Sequence, residues 1–225
     1  ESELRMLYRD GTYRWMLIRG ITLRDESGKG YRIAGSMSDI TSRKRAEERL
    51  RRQAIYDSAT GLYNRQHLMK RLEAAVHSAK RYGHPICLCL CDLDYFKSVN
   101  DIFGHRAGDK VLGKFGRIIQ NELRSDDTAG RYGGDEFCII FPNTRAGDAI
   151  VSTERIRMRL EKQSFSNERG ASFSITATFG IADLDPQTMN EKDLIEAADQ
   201  ILYAAKQDGR NRTKISQFPP EGIME

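Results

Sequence analysis

Apolar and polar residues alternate through residues 4–8, 13–23 and 31–37, with Asp10-Gly11 and Glu26-Ser27-Gly28 between these stretches. Alternation punctuated by Asp-Gly and Ser-Gly is a hairpin pattern, so it predicts about three antiparallel strands. Three strands are marginal as an independent sheet, and this one is expected to lean on other elements or on chain outside the sequence. A helix is predicted over residues 42–56, because the oxygens of Asp39 or Thr41 can accept free N–H groups at its start. Its apolar positions, Ile40, Ala46, Leu50 and Ala54, are sparse. That leaves two readings open, a dimer-forming connector and a solvated linker helix.

From Asp57 the period switches to alternating helices and strands. Helices are predicted over residues 64–82, 107–123, 146–160 and 191–207, and strands over 86–92, 172–182 and 213–215. Residues 86–92 are nearly all apolar, as suits a central strand covered on both faces. Within this alternation, residues 128–132 and 137–141 flank Gly133-Gly134 as an antiparallel hairpin. A hairpin inserted into such an order points to an α+β fold with a ferredoxin-like or polymerase-palm-like sheet and flanking helices, not a doubly wound one.

The chain has 225 residues, 39% hydrophobic and 30% charged, enough for one α/β domain and a smaller appendage. Its formal net charge of +4 is too small to mark a nucleic-acid partner, and none is expected. Cys87, Cys89 and Cys91 alternate and would share one strand face; with Cys138 they lack C-x-x-C spacing. They read as buried core residues of a reducing compartment. No long apolar run or leader pattern occurs, so a cytoplasmic segment is expected, although a full-length protein could be anchored upstream. Because the chain opens at Glu1 inside a strand pattern, it reads as a piece of a longer protein.

Two places concentrate chemistry. Asp92 and Asp94 stand where the central strand emerges, and Asp135 and Glu136 stand on the hairpin turn. Carboxylates at the ends of adjacent strands suit hard divalent cations such as Mg²⁺, which can promote phosphoryl transfer. Glycines at 133 and 134 are expected to supply positive φ and to let a triphosphate approach closely. Taken alone, the turn reads more readily as an ordinary hairpin with exposed acids.

The wider set of motifs resembles the GGDEF domain family. Asp57-Ser58-Ala59-Thr60-Gly61-Leu62-Tyr63-Asn64-Arg65 is similar to its opening motif, with Ala59 where leucine is commoner. Residues 92–101 and 104–109 resemble its long central motif, Arg131-Tyr132-Gly133-Gly134-Asp135-Glu136-Phe137 its turn, and residues 198–211 its closing helix. The resemblance covers about residues 56–215. Residues 8–15 and 35–41 look like the last strands of a PAS sensor domain and its exit. The implied organisation is a partial PAS domain over 1–39, a signalling helix over 40–56, a GGDEF domain over 57–217 and a tail over 218–225.

The resemblance implies a diguanylate cyclase, which condenses two GTP into cyclic di-GMP and two pyrophosphates across a homodimer, with Mg²⁺ or Mn²⁺ as cofactor. Asp92, the Leu93 carbonyl, Asp135 and Glu136 would bind metal, and Asp135 or Glu136 would help deprotonate the attacking hydroxyl. Asn100, His105 and Asp109 would form the guanine pocket with Phe96. A carboxylate can accept from guanine N1–H and its amine, which favours GTP over ATP. Lys97, Lys206 and Arg210 would hold phosphate oxygens. Arg124 and Asp127, with Arg155, would form an R-x-x-D site at which the product inhibits. A silent receptor for GTP or cyclic di-GMP is the alternative, and another two-metal nucleotidyl transferase a third reading.

Overall fold

The structure is a computed structural model describing residues 1–167, 169–187 and 189–215. Residues 216–225, including the expected tail, lie outside the described residues. The chain divides into two compact units, Glu1–Ala54 and Ile55–Glu225.

In the first unit, β1 (Ser2–Leu7), β2 (Tyr13–Arg24) and β3 (Gly30–Asp39) form an antiparallel sheet in that order. Most of its large apolar side chains, including Tyr13, Ile21, Tyr31 and Ile33, are exposed, and Met16 and Ile40 are buried. Helix α1 (Thr41–Ile55) follows and buries none of its residues. The Asp39 carboxylate accepts the Thr41 N–H at 2.8 Å, while the Thr41 hydroxyl accepts the Trp15 N–H at 2.9 Å. Of the two predicted capping oxygens, that of Asp39 serves the helix start.

The second unit is built on a five-stranded sheet of order β10-β9-β4-β6-β5, comprising β4 (Ile86–Leu93), β5 (Thr128–Arg131), β6 (Glu136–Pro142), β9 (Ala177–Asp183) and β10 (Thr213–Ile215). Strand β4 is antiparallel to both β6 and β9, β5 is antiparallel to β6, and β10 runs parallel to β9. With α3 (Phe96–Phe103), α4 (His105–Glu122) and α5 (Ala146–Glu161) as its crossings, the sheet is ferredoxin-like, as the hairpin inside the alternation predicted. Helices α2 (Arg65–Tyr82) and α6 (Glu191–Gln207) cover the other face.

Alternation along β4 explains its apolar run. Cys87, Cys89, Cys91 and Leu93 join Phe115, Phe137, Phe179 and Ile156 on one side, whereas Ile86, Leu88 and Leu90 join Leu68, Leu72, Leu194 and Leu202 on the other. Each of these leucine, isoleucine and phenylalanine side chains removed from water contributes about 1.5–3 kcal/mol. The cysteines are buried and free, and burial pushes their thiols upward, as expected of core residues. Helix α2 starts where the Asn64 side chain accepts the His67 N–H at 2.9 Å and stops at Gly83, whose φ is 70°. Asn190 and Asp193 form a capping box at the start of α6.

Two local features depart from the periodicity. Residues 96–103 form α3, and the next helix starts at His105, with Gly104 at φ 87° between them. The expected strand over 172–182 is broken into β8 (Ser172–Phe173), paired with β7 (Phe165–Ser166), and β9. The intervening Thr176 still faces β4, because its carbonyl accepts the Asp94 N–H at 2.9 Å, next in register after Leu93–Ala177. No helix among the described residues is long and apolar enough to cross a membrane.

Candidate functional site

The end of β4 and the β5–β6 turn meet because Asp92 pairs directly with Glu136 across the antiparallel ladder. Directly paired residues share a sheet face, which here is the face covered by α6. The Lys206 ammonium from the last turn of α6 stands 2.9 Å from the Asp92 carboxylate. Burial pushes the Asp92 carboxyl above its ordinary value, Lys206 pulls it back, and the charges of Asp135 and Glu136 push it up again. The main chain holds the turn to β4, since Leu93 N–H donates to the Asp135 carbonyl at 3.2 Å.

The turn's glycines act differently from the expectation. Neither Gly133 nor Gly134 has positive φ. A Cβ on Gly133 would strike the Glu136 carboxylate, which folds back over it, and a Cβ on Gly134 would meet nothing within 4 Å. Glycine at 133 thus leaves room for the folded-back Glu136 side chain, which a Cβ would push aside, and Gly134 keeps the backbone bare.

Arg131 braces this turn. Its Nε donates to the carbonyls of Gly133 at 3.1 Å and Gly134 at 3.0 Å, and its Nη2 donates to Gly134 at 2.6 Å. Its Nη1 reaches the Asp57 carboxylate at 3.2 Å. Asp57 in turn accepts the Thr60 N–H at 2.9 Å and the Thr60 hydroxyl at 2.8 Å. Both residues were visible in motifs, but their partnership spans 74 positions and has no local signature.

Asp94 was singled out only by position, and it is 3% exposed. It accepts hydroxyls from Thr176 at 2.6 Å and Thr178 at 2.7 Å, and the Asn211 N–H at 3.2 Å. Arg210 lies with its guanidinium 4.8 Å from the Tyr95 ring centre, beside the same strand end.

At the α3–α4 corner, Asn100 is half-buried and its side chain fills the space where a Cβ on Gly108 would stand. Phe96 is buried; Lys97, His105 and Asp109 are exposed. His105 lines a cleft of about 470 Å³ with Arg106, Lys110 and Arg169, whose lining does not include Asn100 or Asp109.

Arg124 and Asp127 do come together, lining a cleft of about 210 Å³ with Tyr56, Tyr63 and Gln120. Asp127 accepts the Arg124 N–H at 2.9 Å, and burial pushes its carboxyl upward. Arg155 does not line that cleft. It is engaged at 2.9 Å with Glu122, which Arg159 also meets at 2.7 Å.

Among the described residues, no three His, Cys, Asp or Glu side chains already form a metal cluster. The donors nonetheless fit a hard cation in kind. Asp92 and Glu136 offer oxygens from paired positions, and the burial and, to a smaller extent, the neighbouring carboxylate charges that raise Asp92 are of the sort a cation relieves.

The family model described as "Diguanylate cyclase, GGDEF domain" matches residues 54–212. The chain is 36% identical over 186 residues to "Probable diguanylate cyclase DgcC" of Escherichia coli K12, covering 82% of this chain and 50% of that protein. It is 36% identical over 159 residues to "Response regulator PleD" of Caulobacter vibrioides, covering 70% and 35% respectively. The chain thus spans about half or less of the length of these relatives. Among solved structures, it resembles the GGDEF domain of DgcB from Caulobacter crescentus in complex with c-di-GMP, at 34% identity and TM-score 0.69, covering 72% of this chain and 95% of that one. The coiled coil and GGDEF domain of the same protein gives 32% identity and TM-score 0.73, covering 79% and 93%.

Proposed function

The chain belongs to the GGDEF-domain diguanylate cyclase family, and from that membership we propose that it condenses two GTP into cyclic di-GMP and two pyrophosphates. The observation that carries the proposal is the pairing of Asp92 with Glu136 across the strand ends, with Lys206 on Asp92 and the bare Gly134 backbone beside them.

Asp92, the Leu93 carbonyl, Asp135 and Glu136 would hold Mg²⁺ or Mn²⁺. When bound, the cation supplies charge neutralisation on the triphosphate and acidifies the attacking hydroxyl. Lys206, Lys97 and Arg210 bind phosphate oxygens as fixed positive charges. Asn100 and Asp109, with His105 and Phe96 nearby, read the guanine edge. In each half-reaction the 3′-oxygen of one GTP forms a bond to the α-phosphorus of the other. The bond from that phosphorus to pyrophosphate breaks, and the hydroxyl proton passes to Asp135 or Glu136. Two such half-reactions close the ring, so two domains must face each other as a homodimer, and an enforced monomer should make no product.

Arg124 and Asp127 form the product-inhibition site in this reading. An arginine can pair bidentately with a phosphate or with a guanine edge, and the two residues share one cleft with two tyrosines. Arg124→Ala should relieve inhibition by cyclic di-GMP, and unchanged inhibition would remove that assignment.

Incubation with GTP and Mg²⁺ followed by chromatography tests the activity. Cyclic di-GMP should form and Glu136→Gln should abolish it. No product from this chain at high concentration would favour the receptor reading instead.

A further inference from the structure

Three consecutive residues after α6, Gly209, Arg210 and Asn211, have φ of 110°, 62° and 45°, and Tyr95 across from them has φ 58°. Left-handed backbone is costly for residues with a Cβ and persists where neighbours over-determine it. The Gly209 and Arg210 N–H groups bond back to the Lys206 and Ala205 carbonyls at the end of α6, each at 3.3 Å, and Asp94 fixes the residue that follows. Its carboxylate accepts the Asn211 N–H, and Thr178, already bonded to Asp94, accepts the same N–H at 3.0 Å. The Asn211 side chain is held separately, by Arg157 at 2.8 Å and Glu161 at 2.8 Å. Asp94 also immediately precedes Tyr95, on whose ring Arg210 rests. A single buried carboxylate therefore joins the end of β4, two threonines at the start of β9 and the loop that aims Arg210.

We propose that Asp94 is a positioning residue for phosphoryl transfer, acting through Arg210 by holding the 209–211 loop and Tyr95 in the conformations that present the guanidinium to the triphosphate. The inference rests on the cyclase reading. It assigns Asp94 no contact with substrate or cation. Its carboxylate is occupied by three donors from the protein itself.

The test is a double-mutant cycle of Asp94→Asn and Arg210→Gln, read as kcat and KM for GTP, with thermal unfolding recorded alongside. Asp94→Asn should lower kcat/KM by about ten-fold or more, mainly through KM, in the presence of Arg210. In the Arg210→Gln background its effect should shrink to about three-fold or less, because the residue it positions is gone. Equal losses in both backgrounds would overturn the proposal and leave Asp94 a purely structural residue. If Asp94→Asn does not fold, Thr176→Val, which removes one of the three donors, takes its place in the same cycle with the same criterion. A wild-type chain that makes no cyclic di-GMP would fell the cyclase reading and this inference together, a result distinct from additivity in an active enzyme.

Discussion

Replacing Arg131 by alanine should loosen the turn over residues 133–136 more than it unfolds the domain. The substitution removes the donors to the Gly133 and Gly134 carbonyls and the partner of Asp57. The Arg131 and Asp57 side chains are 20% and 21% exposed, so their pair lies between an exposed one, contributing up to about 1 kcal/mol, and a buried one, whose rupture costs about 3–5 kcal/mol. The carbonyl bonds contribute about 1 kcal/mol each where water is excluded, and less at this exposed turn. The expected loss is about 2–3 kcal/mol, which in a unit of this size lowers Tm by about 4–12 °C. Turnover should fall by about ten-fold or more at a temperature where both proteins are folded, since Asp135 and Glu136 ride on the freed turn. Arg131→Lys should be intermediate, because one ammonium cannot span Asp57 and both carbonyls. Thermal unfolding and product formation measure the two effects. A variant melting within about 1 °C of wild type and turning over GTP at the wild-type rate would refute the bracing role.

Two further outcomes follow from packing and burial. A Cβ at Gly180 would meet the Ala198 carbonyl at 2.7 Å and the Leu202 amide even closer, so Gly180→Ala should push α6 off β9 and destabilise by about 2–4 kcal/mol in urea unfolding; no change would mean that the helix seats elsewhere. Burial raises the Asp183 carboxyl above its ordinary 3.8, although it accepts the Ala146 N–H at 2.7 Å. The folded state therefore binds its proton more tightly, and the resulting stability is full below 3.8 and lost as pH rises through the raised value. Asp183→Asn should match or exceed wild-type stability at pH 7 and lose that advantage on acidification below about pH 4. A variant clearly less stable than wild type at pH 7 would contradict this sign.

The local pattern determined the elements whose side chains obey one period. Helix α6 and strand β10 occupy the predicted residues, 191–207 and 213–215, and β4 is the doubly covered strand its apolar run implied. The motif set also identified the family, whose model matches residues 54–212. Where contacts cross the sequence, the pattern was silent. Helix α3 was missed because it is short and ends at Gly104, and the strand over 172–182 is split because its first two residues pair with β7 and its last part with β4. What glycine at 133 accommodates is the folded-back Glu136 side chain, not a positive backbone angle. Arg131 found Asp57 across 74 residues, and Asp94 found Asn211 across 117. A residue's period reports which face it presents. Which distant group meets that face is decided only when β4, β6 and β9 pair and α6 closes over them, bringing Asp92 to Glu136 and Lys206 to Asp92.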